Sequence, residues 1–232
     1  MSTYNKVSFG QKIAFGFGMF ANQMFPAVIG IFIVVLVQSL GFPGWMWGFV
    51  MIFPRLFDAI TDPIMGFISD NTKSKWGRRR QYVFLGAIIM GFSFIVMWQL
   101  HKESTIDYNF TYFLLWSLLF YVGLTIFSVP YVAMGYEMSD DFHERTNIMA
   151  VAQFIGQWAW VIAPWFWVIM DDQNLFESSE IAVRELAIWV GLVCMTFAMI
   201  PAIFIKSKST LNQDYDSICL LYTSPSPRDG LL

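Results

Sequence analysis

Phe53-Pro54-Arg55-Leu56-Phe57-Asp58-Ala59-Ile60-Thr61-Asp62-Pro63-Ile64-Met65-Gly66 places three charged side chains inside an otherwise apolar stretch. It lies within a run from about Gly44 to Ile68. A bilayer core of about 30 Å takes roughly 20 mostly apolar residues in a helix, so this run is long enough to cross. Asp58 and Asp62 stand at i and i+4, and both carboxylates therefore leave one helical face, with Cβ atoms about 5–6 Å apart. Two acids that close in a low dielectric resist double ionisation. A cation between them, or a proton on one, relieves the conflict. Thr61 adds a hydroxyl beside the pair. Pro63 has no N–H to give the Ala59 carbonyl, which leaves a backbone oxygen at the same turn. The plainer alternative is that Arg55, three residues before Asp58, neutralises it and the motif only holds helices together. One arginine does not compensate two acids.

Composition extends this reading to the whole chain. Of 232 residues, 56% are hydrophobic, 19% aromatic and 13% charged, and the mean hydropathy is +0.54. A soluble domain is about 45–50% apolar and about 25% charged. So apolar a chain has too little polar surface to cover a core in water. Six stretches qualify as spans: Ile13–Val37, Gly44–Ile68, Gln81–Leu100, Phe110–Tyr136, Ile148–Met170 and Leu186–Ile205. The expected fold class is therefore an all-α membrane protein of six transmembrane helices. No basic leader with a short apolar core and cleavage site stands at the start. Cys194 lies in an apolar run and Cys219 in the tail, so no disulfide framework is expected.

Charge sets the expected orientation. Lys6, Lys12, Lys73, Lys75, Arg78, Arg79, Arg80, Arg145, Lys206 and Lys208 fall on one side of the six spans, and only Lys102 and Arg184 on the other. The positive-inside rule then puts both ends of the unit in the cytoplasm of a multi-pass inner-membrane protein. The acidic stretch from Asp171 to Glu185 faces outward.

The cytoplasmic end of the second span continues Gly66-Phe67-Ile68-Ser69-Asp70-Asn71-Thr72-Lys73-Ser74-Lys75-Trp76-Gly77-Arg78-Arg79-Arg80. Its plain reading is a basic anchor; its functional reading adds a gate, Asp70 pairing with basic residues in one conformation and releasing them in another. Asp58-Ala59-Ile60-Thr61-Asp62-Pro63-Ile64-Met65-Gly66 together with this run closely resembles the glycoside–pentoside–hexuronide:cation symporters, the melibiose-permease branch of the major facilitator superfamily. Val129-Pro130-Tyr131 through Glu137 to His143-Glu144-Arg145-Thr146 is similar to the family's fourth-helix end and following loop. The resemblance covers about Phe15 to Lys208.

The resemblance implies a twelve-helix fold of two six-helix bundles around a central cavity, with this chain as the N-terminal bundle and the C-terminal six-helix half as its missing partner. It implies a cation site at Asp58, Thr61, Asp62 and Thr125, taking Na+ or H+, although the family's pattern has Asn where Thr61 stands. It implies a solute site at Asn22, Gln23, Ser128 and Gln153, to which Arg55 is added. There the family's Lys-Asp pair, Asp and Arg have become neutral polar groups, which still hydrogen-bond hydroxyls, and Trp158 and Trp160 are available to stack. For Asn22, Gln153 and Gln157, interhelical hydrogen bonding is an even alternative. The gate falls on Asp70, Gly77, Arg78, Arg79, Arg80 and Arg145.

The expected activity is cation-coupled symport of a sugar or glycoside, with the bilayer and a small carbohydrate as partners. The alternatives are a non-sugar solute such as an organic acid or lysolipid, or a non-transporting sensor on the same fold. His143 is expected to be a solvated loop residue. No metal-ligand spacing, nucleotide loop or nucleophile–base arrangement occurs, so neither an enzyme, nor a cofactor beyond the coupling ion, nor a nucleic-acid partner is expected.

The expected organisation is a cytoplasmic N-terminus over 1–12, the bundle over 13–208 and the start of a cytoplasmic linker over 209–218. The segment 219–232 contains Cys219-Leu220-Leu221-Tyr222-Thr223-Ser224-Pro225-Ser226-Pro227-Arg228-Asp229. It resembles a one-frame translation of a transposon-end adapter from sequencing libraries, and is expected not to be native.

Overall fold

A computed structural model describes residues 6–172 and 174–205. The linker and adapter-like segments, with Lys206 and Lys208, lie outside the described residues. Six helices follow one another: α1 Phe9–Gln38, α2 Gly44–Asp70, α3 Arg80–Met97, α4 Ile106–Glu137, α5 Phe142–Asp171 and α6 Ser179–Phe204. Five of them are long and apolar enough to cross a membrane. The exception is α2, the helix that carries Arg55, Asp58 and Asp62 through its middle.

Most helices outrun the apolar stretches because their polar flanks are wound into capped turns. The Asp141 side chain accepts the Glu144 N–H, and Thr105 accepts the Tyr108 N–H. Each cap satisfies a backbone donor that the first helical turn leaves free. His143, Glu144 and Arg145 are thus helical, in the first turn of α5, and not in a loop. Similarly α6 starts at Ser179, which absorbs part of the acidic connection between α5 and α6. Between α1 and α2, Gly41 takes a φ of 70°, and between α2 and α3 Gly77 takes 89°. Both lie in the left-handed region that only glycine adopts without strain.

The principal packing pairs are α3 with α4, α1 with α5, α3 with α6, α1 with α6 and α2 with α4. Exchanging α1, α2, α3 for α4, α5, α6 turns this set into itself. Three spans reverse the chain direction, so the two halves are inverted repeats, the arrangement transporters use around a midplane site. Glycines let the backbones approach. A Cβ at Gly86 would lie 2.5 Å from the Phe127 nitrogen, and one at Gly123 2.7 Å from that of Met90. Gly91 and Gly191 do the same between α3 and α6, against Met195 and Ile95. Close approach at small residues is how membrane helices gain packing energy when lipid is as apolar as their own side chains.

Helix α5 turns a stripe of buried small residues, Ala152, Gly156, Ala159 and Ala163, toward α1. Most other α5 positions, and most of α2, are exposed. α2 and α5 are not a packing pair with each other, and the unit is open between them.

Candidate functional site

Two groups of polar side chains lie within the helices, one on each seam beside the open side. On the α2–α4 seam, the Thr125 hydroxyl donates to Asp58 Oδ1 at 2.6 Å. Thr125 Oγ1 lies 3.3 Å from Thr61 Oγ1. The Thr61 hydroxyl is also within 3.3 Å of the Phe57 and Asp58 carbonyls of its own helix. A hydroxyl has one proton and two lone pairs. With the Thr125 proton on Asp58, Thr61 has a single proton for three acceptors. If it takes the backbone, as mid-helix threonines commonly do, the two hydroxyl oxygens face each other lone pair to lone pair. Such a pair welcomes a cation.

Asp58, Thr61 and Thr125 are thus brought together. Asp62 is exposed one turn farther along α2 toward its C-terminal end, and both it and Arg55 lie within electrostatic reach of the Asp58 carboxylate. Tyr121, one turn before Thr125 on α4, lies within electrostatic reach of Arg55 and Asp58. The sequence reading missed Tyr121; its spacing of four from Thr125 was the available signal. Among the described residues no three His, Cys, Asp or Glu side chains converge as a metal-cluster site would require.

The second group spans α1 and α5. Trp160 Nε1 donates to Gln23 Oε1 at 3.0 Å. Around α1, Phe15 stacks on Tyr131 of α4, Gly16 sits on Ile155 of α5, and Phe17 and Phe20 meet Phe197 of α6. At about 100° per residue, Asn22, Gln23, Pro26 and Gly30 then face between the α4 and α5 directions. These positions are partly or fully exposed. The same phase argument sets Ser128 on α4 between α1 and α2, and Gln153 on the α5 face that carries Trp160, seven residues on. Asn22, Gln23, Ser128 and Gln153 therefore look onto one open side, and of these only Gln23 gains a side-chain partner among the described residues. Trp158 does not join them. It lies on another edge of α5, against Phe154.

At the end formed by the α2, α4 and α6 C-termini, the three arginines separate. Arg79 pairs with Asp70 and, at 3.0 Å, with Glu137; Arg78 pairs with the same Glu137 oxygen. Arg80 instead donates to the Ala202 and Ile203 carbonyls at 2.6 and 3.0 Å. There it satisfies free acceptors and the negative end of the α6 dipole. Arg145 makes no ion pair among the described residues. Two further features had no sequence signal. Glu137 is the shared acceptor, and Glu144 receives Lys12 at 2.9 Å and the Val7 N–H at 3.0 Å, tying α1 to α5.

An inverted six-helix bundle with a half-buried carboxylate–hydroxyl cluster between two of its helices is the architecture of a membrane transporter half. The chain belongs to the MFS/sugar transport protein family of the major facilitator superfamily, which it matches over residues 14–172. It is a multi-pass membrane protein, and not an enzyme. It is 27% identical to the inner membrane symporter YicJ of Escherichia coli over 68% of this chain and 33% of that protein. It is 23% identical to the lactose permease of Lactobacillus helveticus over 69% of this chain and 28% of that one. A sodium-dependent lysophosphatidylcholine symporter of Xenopus tropicalis is 26% identical over 62% of this chain and 27% of its own length. The chain thus spans about a third of the relatives it matches.

Proposed function

We propose that this chain is the cation-coupling six-helix half of a symporter that carries a neutral sugar or glycoside together with Na+ or H+, with its N-terminus in the cytoplasm. One observation carries the proposal: Asp58, Thr61 and Thr125 meet across α2 and α4, with Asp62 one turn away. An aspartate at mid-span costs about 3 kcal/mol on insertion scales. Two on one helix are not retained for packing. Asp58 and Asp62 supply the charge that a cation or proton neutralises, and Thr61 and Thr125 supply hydroxyl oxygens. Ion occupancy then strengthens the α2–α4 contact beside the open side where solute binds, which links the two events. The Lys and Arg asymmetry supports the orientation, and the sugar carried by the Lactobacillus relative supports the solute class.

A second reading, a lysolipid solute, is favoured by the Xenopus relative. The test is uptake by the uninterrupted protein in proteoliposomes, with lactose and lysophosphatidylcholine offered separately under inward Na+ or H+ gradients. Gradient-driven accumulation of the sugar is expected, abolished by Asp58→Asn or Asp62→Asn. Unchanged accumulation in both variants overturns the site assignment.

A further inference from the structure

We infer that Trp160 is the stacking platform for the sugar ring, and that Gln23 acts chiefly by holding the indole in place. The inference rests on the proposed sugar symport and names a specificity-determining residue within it. The resemblance that assigned Gln23 to the solute treated it as a direct ligand. The structure gives its carbonyl oxygen to the Trp160 N–H at 3.0 Å. That bond has two consequences.

The first concerns the indole. A buried or half-buried tryptophan needs a partner for its single donor, and Gln23 provides one from the neighbouring helix. The ring is thereby fixed in rotation while 49% of the residue stays open. The small stripe of Ala152, Gly156 and Ala159 lets α5 lie close enough on α1 for the bond to form; Gly156 itself sits against Met19 and the Gln23 stem. An open, fixed aromatic face on the side shared with Ser128 and Gln153 suits a ligand with one flat apolar face and a polar rim. A pyranose is such a ligand, its ring C–H groups on one face and its hydroxyls around the edge.

The second concerns hydrogen-bond polarity. With one lone pair of its oxygen taken by the indole, Gln23 offers its two amide N–H groups and a single remaining acceptor site to the open side. Asn22, Ser128 and Gln153 supply donors and acceptors, and none of these four carries a charge. Hydroxyl groups, which both donate and accept, match this set. Among these four a phosphocholine headgroup would find no cation for its phosphate, and Arg55, the one cation assigned to the solute site, stands beside Asp58 and Tyr121 on the α2–α4 seam.

The test is sugar uptake by the uninterrupted protein in proteoliposomes, with lactose and 4-nitrophenyl β-galactoside as probes. Trp160→Leu is expected to raise KM about tenfold or more with little change in the maximal rate. Trp160→Phe, which keeps a ring but loses the N–H, is expected to raise it only a fewfold. Gln23→Leu raises KM in the native background but adds nothing in the Trp160→Phe background, because the bond it breaks is already gone. That loss of additivity marks positioning, since a direct ligand would cost the same in both backgrounds. If Trp160→Leu takes up both sugars with the native KM, or Gln23→Leu costs as much in the Trp160→Phe background as in the native one, the inference falls while sugar symport stands. If the native protein accumulates lysophosphatidylcholine and neither sugar, both fall together.

Discussion

The α2–α4 and α1–α5 seams hold equivalent places in the two inverted repeats, yet they are built from opposite materials. Between α1 and α5 the contact is tight and, apart from the Lys12–Glu144 ion pair at its end, neutral, with Gly16 on Ile155, Gly156 on Met19 and one amide–indole bond at the rim. Between α2 and α4 the contact is looser and charged, with Asp58 held by a threonine and Arg55, Tyr121 and Asp62 around it. A charged seam responds to an ion. A neutral one responds to shape and hydroxyls. Under the proposed symport, the ion belongs to the α2–α4 seam and recognition of the solute to the α1–α5 seam.

The largest effect should come from deleting the charge that separates the seams. Asp58→Asn in the uninterrupted protein is expected to lower gradient-driven accumulation by about 100-fold or more, while downhill exchange of solute is less affected. Equal loss in both assays would mean that Asp58 serves folding or solute binding, and the contrast between the seams would fail. The next effect should come from the packing of the neutral seam. Gly156→Leu drives a side chain into Met19 and the Gln23 stem, and overpacking of this kind costs about 1–3 kcal/mol. Thermal unfolding in detergent should show the loss, with cation affinity unchanged in whatever protein folds. A moderate effect is expected from Thr125→Ala, which removes the donor to Asp58. A hydrogen bond to a charged group is worth about 1.5–3 kcal/mol, so roughly tenfold weaker cation dependence of uptake is expected, with sugar KM at saturating cation unchanged. The smallest should be Arg80→Ala, which releases two α6 carbonyls at the helix end. It is expected to cost about 1 kcal/mol of stability and leave both seams working.

The two seams were not equally legible in the sequence. Asp58, Thr61 and Asp62 lie within five residues on one predicted helix, and period 3.6 alone aligned them; Thr125, on another helix, came from the family resemblance. The helices were equally plain, since apolar stretches of the right length admit little else in lipid. Their ends were less so, because caps such as Asp141 wind charged residues into the helix and made His143 helical. What stayed hidden were pairings between distant helices. Nothing local says that Gln23 meets Trp160, that Arg79 shares Glu137 with Arg78, or that Arg80 turns aside to α6. Those follow from which helices pack, and hydropathy does not encode that. The same ignorance grouped Trp158 with Trp160, although helical phase separates them once α1 is placed.

The central claim is that the α2–α4 cluster holds the coupling ion. Equilibrium binding of radioactive Na+ to the purified, uninterrupted protein at high pH, without solute, tests it most directly if sodium is the ion; the matching measurement for H+ is proton uptake on solute binding. One saturable ion per molecule is expected, lost in Asp58→Asn and retained in Gln23→Leu. Binding that survives in Asp58→Asn, or disappears in Gln23→Leu, would contradict it.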